Sequence, residues 1–161
     1  MSLYTPIGEA IYAATEGLVT MAGSMRSAPI PRRAPAGTHG PVTEEEARAM
    51  LRAVLSLLDK WDLRREDKLV LLGGPSERTF QRWRAGEVGP LPPDTVFRLG
   101  DLLGIHKALR YMFVDTGRTY GWVKRPNRAF GGKSALDIML QGAPSDISRI
   151  RAYLDAERGA W

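Results

Sequence analysis

The stretch that decides the fold is SERTFQRWRAG, residues 76–86, which follows a turn made of two glycines and a proline. Ser76 is a good helix N-cap, and the glycine at the end of the stretch favours a helix stop. Phe80 and Trp83 are three residues apart, so they share one face of this short helix and should pack onto a core. A short helix of this kind after a tight turn predicts a helix-turn-helix over residues 62–86.

The opposite face of this helix is polar and basic. Arginine suits guanine, glutamine suits adenine, and flanking arginines suit phosphates, whereas Glu77 repels phosphate. A solvated face on a core helix explains the same pattern, so both interpretations stay open at this point. The candidate DNA-binding residues are Ser76, Arg78, Thr79, Gln81, Arg82 and Arg84.

From residue 43 onward the chain predicts helices and no strand, which makes the fold class all-α. Thr43 and Glu46 form a capping-box pattern ahead of an apolar stripe that runs to Asp59. Residues 115–133 are rich in glycine and are expected to be irregular. Further helix starts are expected at Asp62, Asp94, His106, Ser134 and Ser145, with the helix from Asp94 ending at Leu103.

The first 42 residues divide into two parts. Thr5 before a proline favours a helix start, and an apolar stripe follows to Leu18. Residues 26–42 contain four prolines and predict a partly extended linker. The first part is either a docked or swapped helix or a disordered arm. Glu9 and Glu16 interrupt its apolar residues, so we do not expect an export signal.

Composition excludes several classes of protein. The 161 residues include no cysteine, so disulfides, thiol chemistry and zinc fingers are excluded. The two histidines, His39 and His106, are far apart, and we expect no metal site. No apolar run approaches the roughly 20 residues that cross a bilayer, which favours a soluble protein in the reducing cytoplasm. The net charge of +5 permits a phosphate-rich partner without naming one.

Catalytic motifs are incomplete. Gly132-Lys133-Ser134 has the form of the end of a phosphate-binding loop, but Asn127 stands where that loop requires glycine, and no buried strand precedes it. Ser134 as an N-cap with Asp137 three residues later explains the same residues. No histidine or aspartate is placed to activate a serine. We therefore expect no catalytic residue and no cofactor, and we do not expect an enzyme.

The segment Trp122–Gly142 contains an aromatic pair around a turn. Pro126 and Asn127 favour the turn, and Phe130 is able to anchor the loop to a core. Trp122 and Phe130 are either core residues or part of an interface in which aromatic side chains carry much of the binding energy.

Two parts of the chain resemble one family. SERTFQRWRAG, prolines and then DTVFRLGDLLGI (residues 94–105) resemble the Xre/Cro/repressor type of helix-turn-helix, which implies a dimer that reads a palindromic operator. Residues 122–142 resemble the C-terminal toxin-binding domain of the Xre/MbcA/ParS antitoxin family, although Ser134 stands where that family usually has proline. The matching residues are Trp122, Pro126, Asn127, Phe130, Gly132, Leu140 and Gly142.

The resemblance implies a partner and an architecture. Residues 1–42 are then an N-terminal helix and proline-rich linker, 43–104 an Xre-like helix-turn-helix domain, and 105–161 a small helical toxin-binding domain. The implied partner is a RES-domain toxin, an enzyme of the ADP-ribosyltransferase-like class that consumes NAD or transfers ADP-ribose. The antitoxin, as a homodimer, blocks the toxin's substrate pocket and represses its own operon. A stand-alone helix-turn-helix regulator is the alternative.

The C-terminal region offers groups for such docking. We expect the last helix and tail to reach the toxin's NAD site, with a carboxylate pairing a basic toxin side chain; a frayed tail is the competing interpretation. The candidate toxin-binding residues are Trp122, Asn127, Phe130, Arg149, Tyr153, Glu157, Arg158 and Trp161.

Overall fold

A computed structural model describes residues 42–159, all of which belong to one compact unit, Gly40–Trp161. The expected N-terminal helix, nearly all of the proline-rich linker and Trp161 lie outside the described residues. Within residues 42–159 the chain is helical, with a single isolated antiparallel bridge between Pro126 and Ser134 and no strand. The all-α fold class is confirmed.

Seven α-helices and two short 3-10 helices follow one another in the described part of the chain. The α-helices are α1 Glu44–Lys60, α2 Arg65–Leu71, α3 Glu77–Arg84, α4 Pro93–Met112, α5 Thr116–Gly121, α6 Ala135–Met139 and α7 Pro144–Gly159. The 3-10 helices are η1 Trp122–Lys124 and η2 Arg128–Phe130.

Three predicted helix starts are confirmed because each depends on a local cap. The Thr43 side chain accepts a hydrogen bond from the Glu46 amide, and the Glu46 carboxylate accepts one from the Thr43 amide at 2.8 Å. Ser134 and Asp137 form the same capping box at α6. Ser76 accepts a hydrogen bond from the backbone of α3. Each cap satisfies amides that the first helical turn leaves without partners.

The predicted start of α2 is wrong. Asp62 does not cap that helix; it adopts a left-handed backbone conformation with φ of 51°. The helix begins three residues later, with Arg64 as an N-cap that makes no side-chain hydrogen bond. The Asp62 carbonyl and carboxylate instead accept hydrogen bonds from Nζ of Lys124, at 2.6 and 3.2 Å. The conformation of this turn is therefore stabilised by a contact with Lys124, which is 62 positions away in the sequence.

A single helix, α4, replaces the two predicted helices at Asp94–Leu103 and His106–Val114. The glycine expected to separate them, Gly104, is buried inside α4, where the Arg151 guanidinium occupies the place of the missing Cβ. Gly104 therefore permits a close approach between helices instead of ending one. The domain boundary expected between residues 104 and 105 falls within α4.

The two long helices α4 and α7 lie side by side. Ser148 Oγ hydrogen-bonds the Asp101 carboxylate, a pair separated by 47 residues, and Arg151 packs on Gly104 with the same separation. Since both contacts keep one offset, the two helices run in the same direction. Fully buried side chains fill the space between them and α1: Leu51, Val54, Leu58, Leu99, Leu102, Ile105, Leu109, Ile147, Ile150 and Leu154.

Residues 115–133 are more ordered than the sequence predicts. Asp115 caps α5 by accepting a hydrogen bond from the Arg118 amide at 2.7 Å. After η2, Gly131 and Gly132 both adopt positive φ, which returns the chain to α6. The last helix, α7, begins at Pro144, one residue before the predicted start at Ser145.

Candidate functional site

The helix α3 presents one apolar and one polar face. Phe80 and Trp83 are buried in the core, as their spacing predicts. Ser76 Oγ accepts a hydrogen bond from the Thr79 amide at 3.1 Å and lies 2.9 Å from the Thr79 hydroxyl. The start of α3 is thus held by its own cap. The other side chains of the polar face are directed away from the core.

Most polar side chains of α3 already have partners in the protein. Glu77 forms an ion pair with Arg65 and accepts a hydrogen bond from the Gln81 amide group at 3.0 Å. Arg82 Nε lies 3.4 Å from the Glu87 carboxylate. The negative charge of Glu77, which repels phosphate, is therefore balanced by an arginine on α2.

Arg84 belongs to a second ionic group at the end of α1. Asp59 accepts hydrogen bonds from Nη1 of Arg84 and Nζ of Lys68, each at 2.6 Å. Burial raises the pKa of Asp59, but the hydrogen bonds and positive charges of Lys68 and Arg84 outweigh it and lower the pKa overall. This carboxylate links the C-terminal ends of α1 and α3.

Arg78 differs from these residues. It is exposed in the first turn of α3, and no hydrogen bond or ion pair holds it to another described residue. Its guanidinium is therefore the cation on α3 that is available to an incoming ligand without breaking an internal ion pair.

A groove of about 560 Å³ lies beside α3, and Thr79 and Arg82 line it together with Glu87 and Asp94. Glu87 pairs with Arg82 and Asp94 pairs with Arg98, so the charged side chains at this groove are already engaged within the protein.

Three of the candidate toxin-binding residues form one aromatic cluster. The Trp122 and Tyr153 rings stack at 6.4 Å between centroids, with 17° between their planes. Phe130 meets Tyr153 edge-on at 4.9 Å and Trp122 at 6.5 Å. Phe130 is buried, whereas Trp122 and Tyr153 are half-buried. The cluster packs onto the core and also reaches the surface, so its geometry is compatible with either interpretation of these residues.

Asn127 holds the loop that carries Phe130. Its side chain accepts a hydrogen bond from the Ala129 amide at 2.9 Å, and its backbone bonds Lys133 and Gly132 at 2.9 and 3.0 Å. These contacts close the loop between η1 and α6. Asn127 therefore positions the aromatic cluster, a structural role that its side-chain type alone does not reveal.

The helix α7 presents Arg149, Tyr153 and Glu157 at four-residue intervals, so they follow one face. Arg149 is exposed, and Glu157 and Arg158 are half-buried. On another face the Asp155 carboxylate lies 2.7 Å from Arg151 Nε and 3.6 Å from Arg158. Arg158 is thus turned toward the ion pair beside α4, away from the face of Tyr153.

Arg98 is a structurally important residue that the sequence analysis missed. Its buried guanidinium donates to Asp94 at 2.8 Å, to the Gly142 carbonyl at 2.9 Å and to the Val70 carbonyl at 3.5 Å. These bonds join α2, α4 and the loop before α7. The spacing of Asp94 and Arg98 is a detectable signal for an ion pair on a helix, but it does not reveal the two distant carbonyls.

Two further kinds of feature are absent from residues 42–159. No helix in this range has the length and apolar character needed to cross a membrane. No group of three or more histidine, aspartate or glutamate side chains in the same range is arranged to hold a metal ion.

The fold and these surfaces define a class: an all-helical protein in which a helix-turn-helix with an exposed basic residue is joined to a helical unit carrying an aromatic surface cluster. Residues 40–104 match the family described as the antitoxin Xre-like helix-turn-helix domain. Residues 108–159 match the antitoxin Xre/MbcA/ParS C-terminal toxin-binding domain.

One relative also aligns with most of the chain. The chain is 49% identical over 111 residues to the "Uncharacterized protein y4oB" of Sinorhizobium fredii, which covers 69% of this chain and 85% of that protein. The chain belongs to the Xre/MbcA/ParS antitoxin family. It is therefore an antitoxin of a toxin–antitoxin system.

Proposed function

We propose that this antitoxin binds a RES-domain toxin, an enzyme that consumes NAD or transfers ADP-ribose, and blocks its active site. The observation that carries the proposal is the aromatic cluster of Trp122, Phe130 and Tyr153, which lies within the toxin-binding match and reaches the surface beside α7. Half-buried aromatic side chains on a rigid base lose little conformational entropy on binding, and such residues dominate many interfaces. We propose no enzymatic role for the antitoxin itself.

The exposed face of α7 continues this surface. Arg149 and Glu157 flank Tyr153 along the helix, which gives the docking face one charge of each sign. We propose that this face and the residues after it reach the NAD pocket of the toxin, with Trp161 at the tail. Because NAD and operon DNA are both cytoplasmic, the complex acts in the cytoplasm.

Co-expression tests this function. Toxin and antitoxin should co-purify, and the antitoxin should restore growth to cells that produce the toxin. Charge reversal at the exposed Arg149 (R149E) should weaken the complex, whereas the matched reversal at exposed Arg52 on α1 (R52E) should not. Deletion of residues 155–161 should give a folded chain that no longer protects cells. Full protection by that truncation contradicts the role of the helix end and tail.

We further propose that the helix-turn-helix binds operator DNA as a homodimer and represses the operon. The free guanidinium of Arg78 supports this role because it can contact a guanine or a phosphate without losing an internal partner. A stand-alone regulator is the alternative function. That alternative predicts that loss of the antitoxin gene harms no cell, even when a RES-type gene is present, and that no such protein co-purifies.

A further inference from the structure

Two exposed apolar side chains are close in sequence where α4 ends. Tyr111 is 72% exposed and Val114 is fully exposed, and they are three residues apart. The two residues between them, Met112 and Phe113, pack against the core and hold this segment in place. Single exposed apolar residues are common on protein surfaces, but an anchored pair of this kind favours an interaction site.

The end of α7 lies beside this pair. Ser148 contacts Asp101 and Arg151 contacts Gly104, both with an offset of 47 residues. The same offset, continued along the two parallel helices, brings Arg158 level with Tyr111. The exposed pair therefore borders the last turn of α7, which is part of the proposed docking surface.

Charges of both signs surround the pair. Lys107 and Arg110 are exposed on the last turns of α4, and Arg158 lies on the facing turn of α7. Asp155 pairs with Arg158, and Asp115 accepts a hydrogen bond from the Arg118 amide, so Lys107 and Arg110 are the cations here that a partner's carboxylates can approach. A partner surface that complements this region has an apolar recess bordered by carboxylates.

We propose that Tyr111 and Val114 form a second contact for the toxin, continuous with the end of α7. This inference rests on the proposed function. Both residues lie within the toxin-binding match, residues 108–159, and outside the helix-turn-helix match, which favours the toxin over a second copy of this chain. Tyr111 and Val114 enlarge the surface where α7 ends.

The test compares the full chain with the double variant Tyr111→Ser, Val114→Ser. Phe97→Ser is the matched control, because Phe97 is also exposed on α4 but lies outside the toxin-binding match. Titration calorimetry measures the Kd for a catalytically inactive RES toxin. We expect the double variant to bind at least about tenfold more weakly and the control to bind as the unmodified chain does. Sedimentation of each chain alone measures self-association.

Other outcomes overturn the inference in distinct ways. Equal binding by the double variant and the unmodified chain refutes the second contact but leaves the proposed function intact. Weakened self-association with unchanged toxin binding assigns this surface to a second copy. An equal loss of toxin affinity in the Phe97→Ser control shows that removing any exposed apolar group weakens binding, which contradicts a specific contact at Tyr111 and Val114. If the unmodified chain fails to bind the toxin, the proposed function itself is refuted, and this inference with it.

Discussion

Arg98 shows how one buried side chain joins distant parts of the antitoxin. Its guanidinium donates to a carboxylate of its own helix and to backbone carbonyls at Val70 and Gly142, which lie 28 and 44 residues away. A buried charge is tolerated only when its hydrogen bonds are satisfied. The residue therefore fixes the position of α2 and of the loop before α7 relative to α4.

Replacing Arg98 with methionine should lower the free energy of unfolding by about 2–4 kcal/mol, because it leaves two carbonyls without this donor. Urea denaturation followed by circular dichroism measures the change. The control is Arg48→Met, which removes an exposed ion pair with Glu44 and should cost less than about 0.5 kcal/mol. Similar losses for the two variants contradict the role assigned to Arg98.

His106 makes stability depend on pH. The ring is half-buried and stacks on Tyr120 at 5.8 Å, and its buried Nδ1 has no hydrogen-bond partner among the described residues. Burial, followed by the positive charges of Arg110 and Lys60, lowers the pKa of His106 below its ordinary 6.5. The folded chain thus holds the ring neutral at a pH where the unfolded chain protonates it.

The free energy of unfolding should therefore decrease as the pH falls below 6.5, and level off once it passes the lowered pKa of the folded state. The variant His106→Gln should show no such decrease between pH 7.5 and about 5. Asp59 and Asp137 do not obscure the result. Their pKa values are lowered from the ordinary 3.8, so the stability that these carboxylates contribute is lost at a more acidic pH than the range of this experiment. A decrease of equal size in the variant contradicts this assignment.

At the scale of single elements, α3 carries a polar face that is largely engaged within the protein. Glu77, Gln81, Arg82 and Arg84 each have an internal partner, and Arg78 does not. A ligand that contacts Arg84, for example, competes with Asp59. Under the proposed DNA-binding function, Arg78 is consequently the arginine of α3 that can contact a base without losing an internal partner.

Replacing Arg78 with alanine should weaken binding to the operator by about 10- to 100-fold, equivalent to one good base contact, and reduce discrimination against altered operators. Fluorescence anisotropy at fixed salt measures both quantities. Arg52→Ala removes an exposed arginine from α1 and should change affinity little. Uniform weakening on all sequences, without loss of discrimination, makes Arg78 a phosphate contact instead.

The elements also show what the sequence predicts well. The caps at Thr43, Ser76 and Ser134 were predictable because each involves partners within three residues. The continuity of α4 was not predictable, because a glycine usually favours a break in a helix. Only the close approach of Arg151 explains why Gly104 lies inside one. The ion pair of Arg84 with Asp59 spans 25 residues, so no local pattern indicates it.

At the scale of the whole molecule, α4 belongs to both functional regions. Its first half packs with the helix-turn-helix, and its second half contributes Ile105 and Leu109 to the core shared with α7. The matches to the two antitoxin domains meet between residues 104 and 108, inside this helix. The regions that match the helix-turn-helix domain and the toxin-binding domain therefore share one hydrophobic core.

A fragment of residues 43–104 should not fold by itself, because it ends inside α4 and lacks the side chains of α7 that cover it. Residues 42–159 should unfold in one cooperative transition. Circular dichroism during thermal and urea denaturation compares the two fragments. A cooperative transition in the shorter fragment shows that the helix-turn-helix is independent and contradicts the shared core.

We propose that this antitoxin silences a NAD-handling enzyme by occupying its active site. The most direct measurement is the rate of NAD consumption by the purified RES toxin as the antitoxin is added. We expect the rate to fall to background in proportion to the antitoxin added, and we expect the R149E variant to require a higher concentration. A toxin that keeps its full rate while the antitoxin is stably bound contradicts the claim.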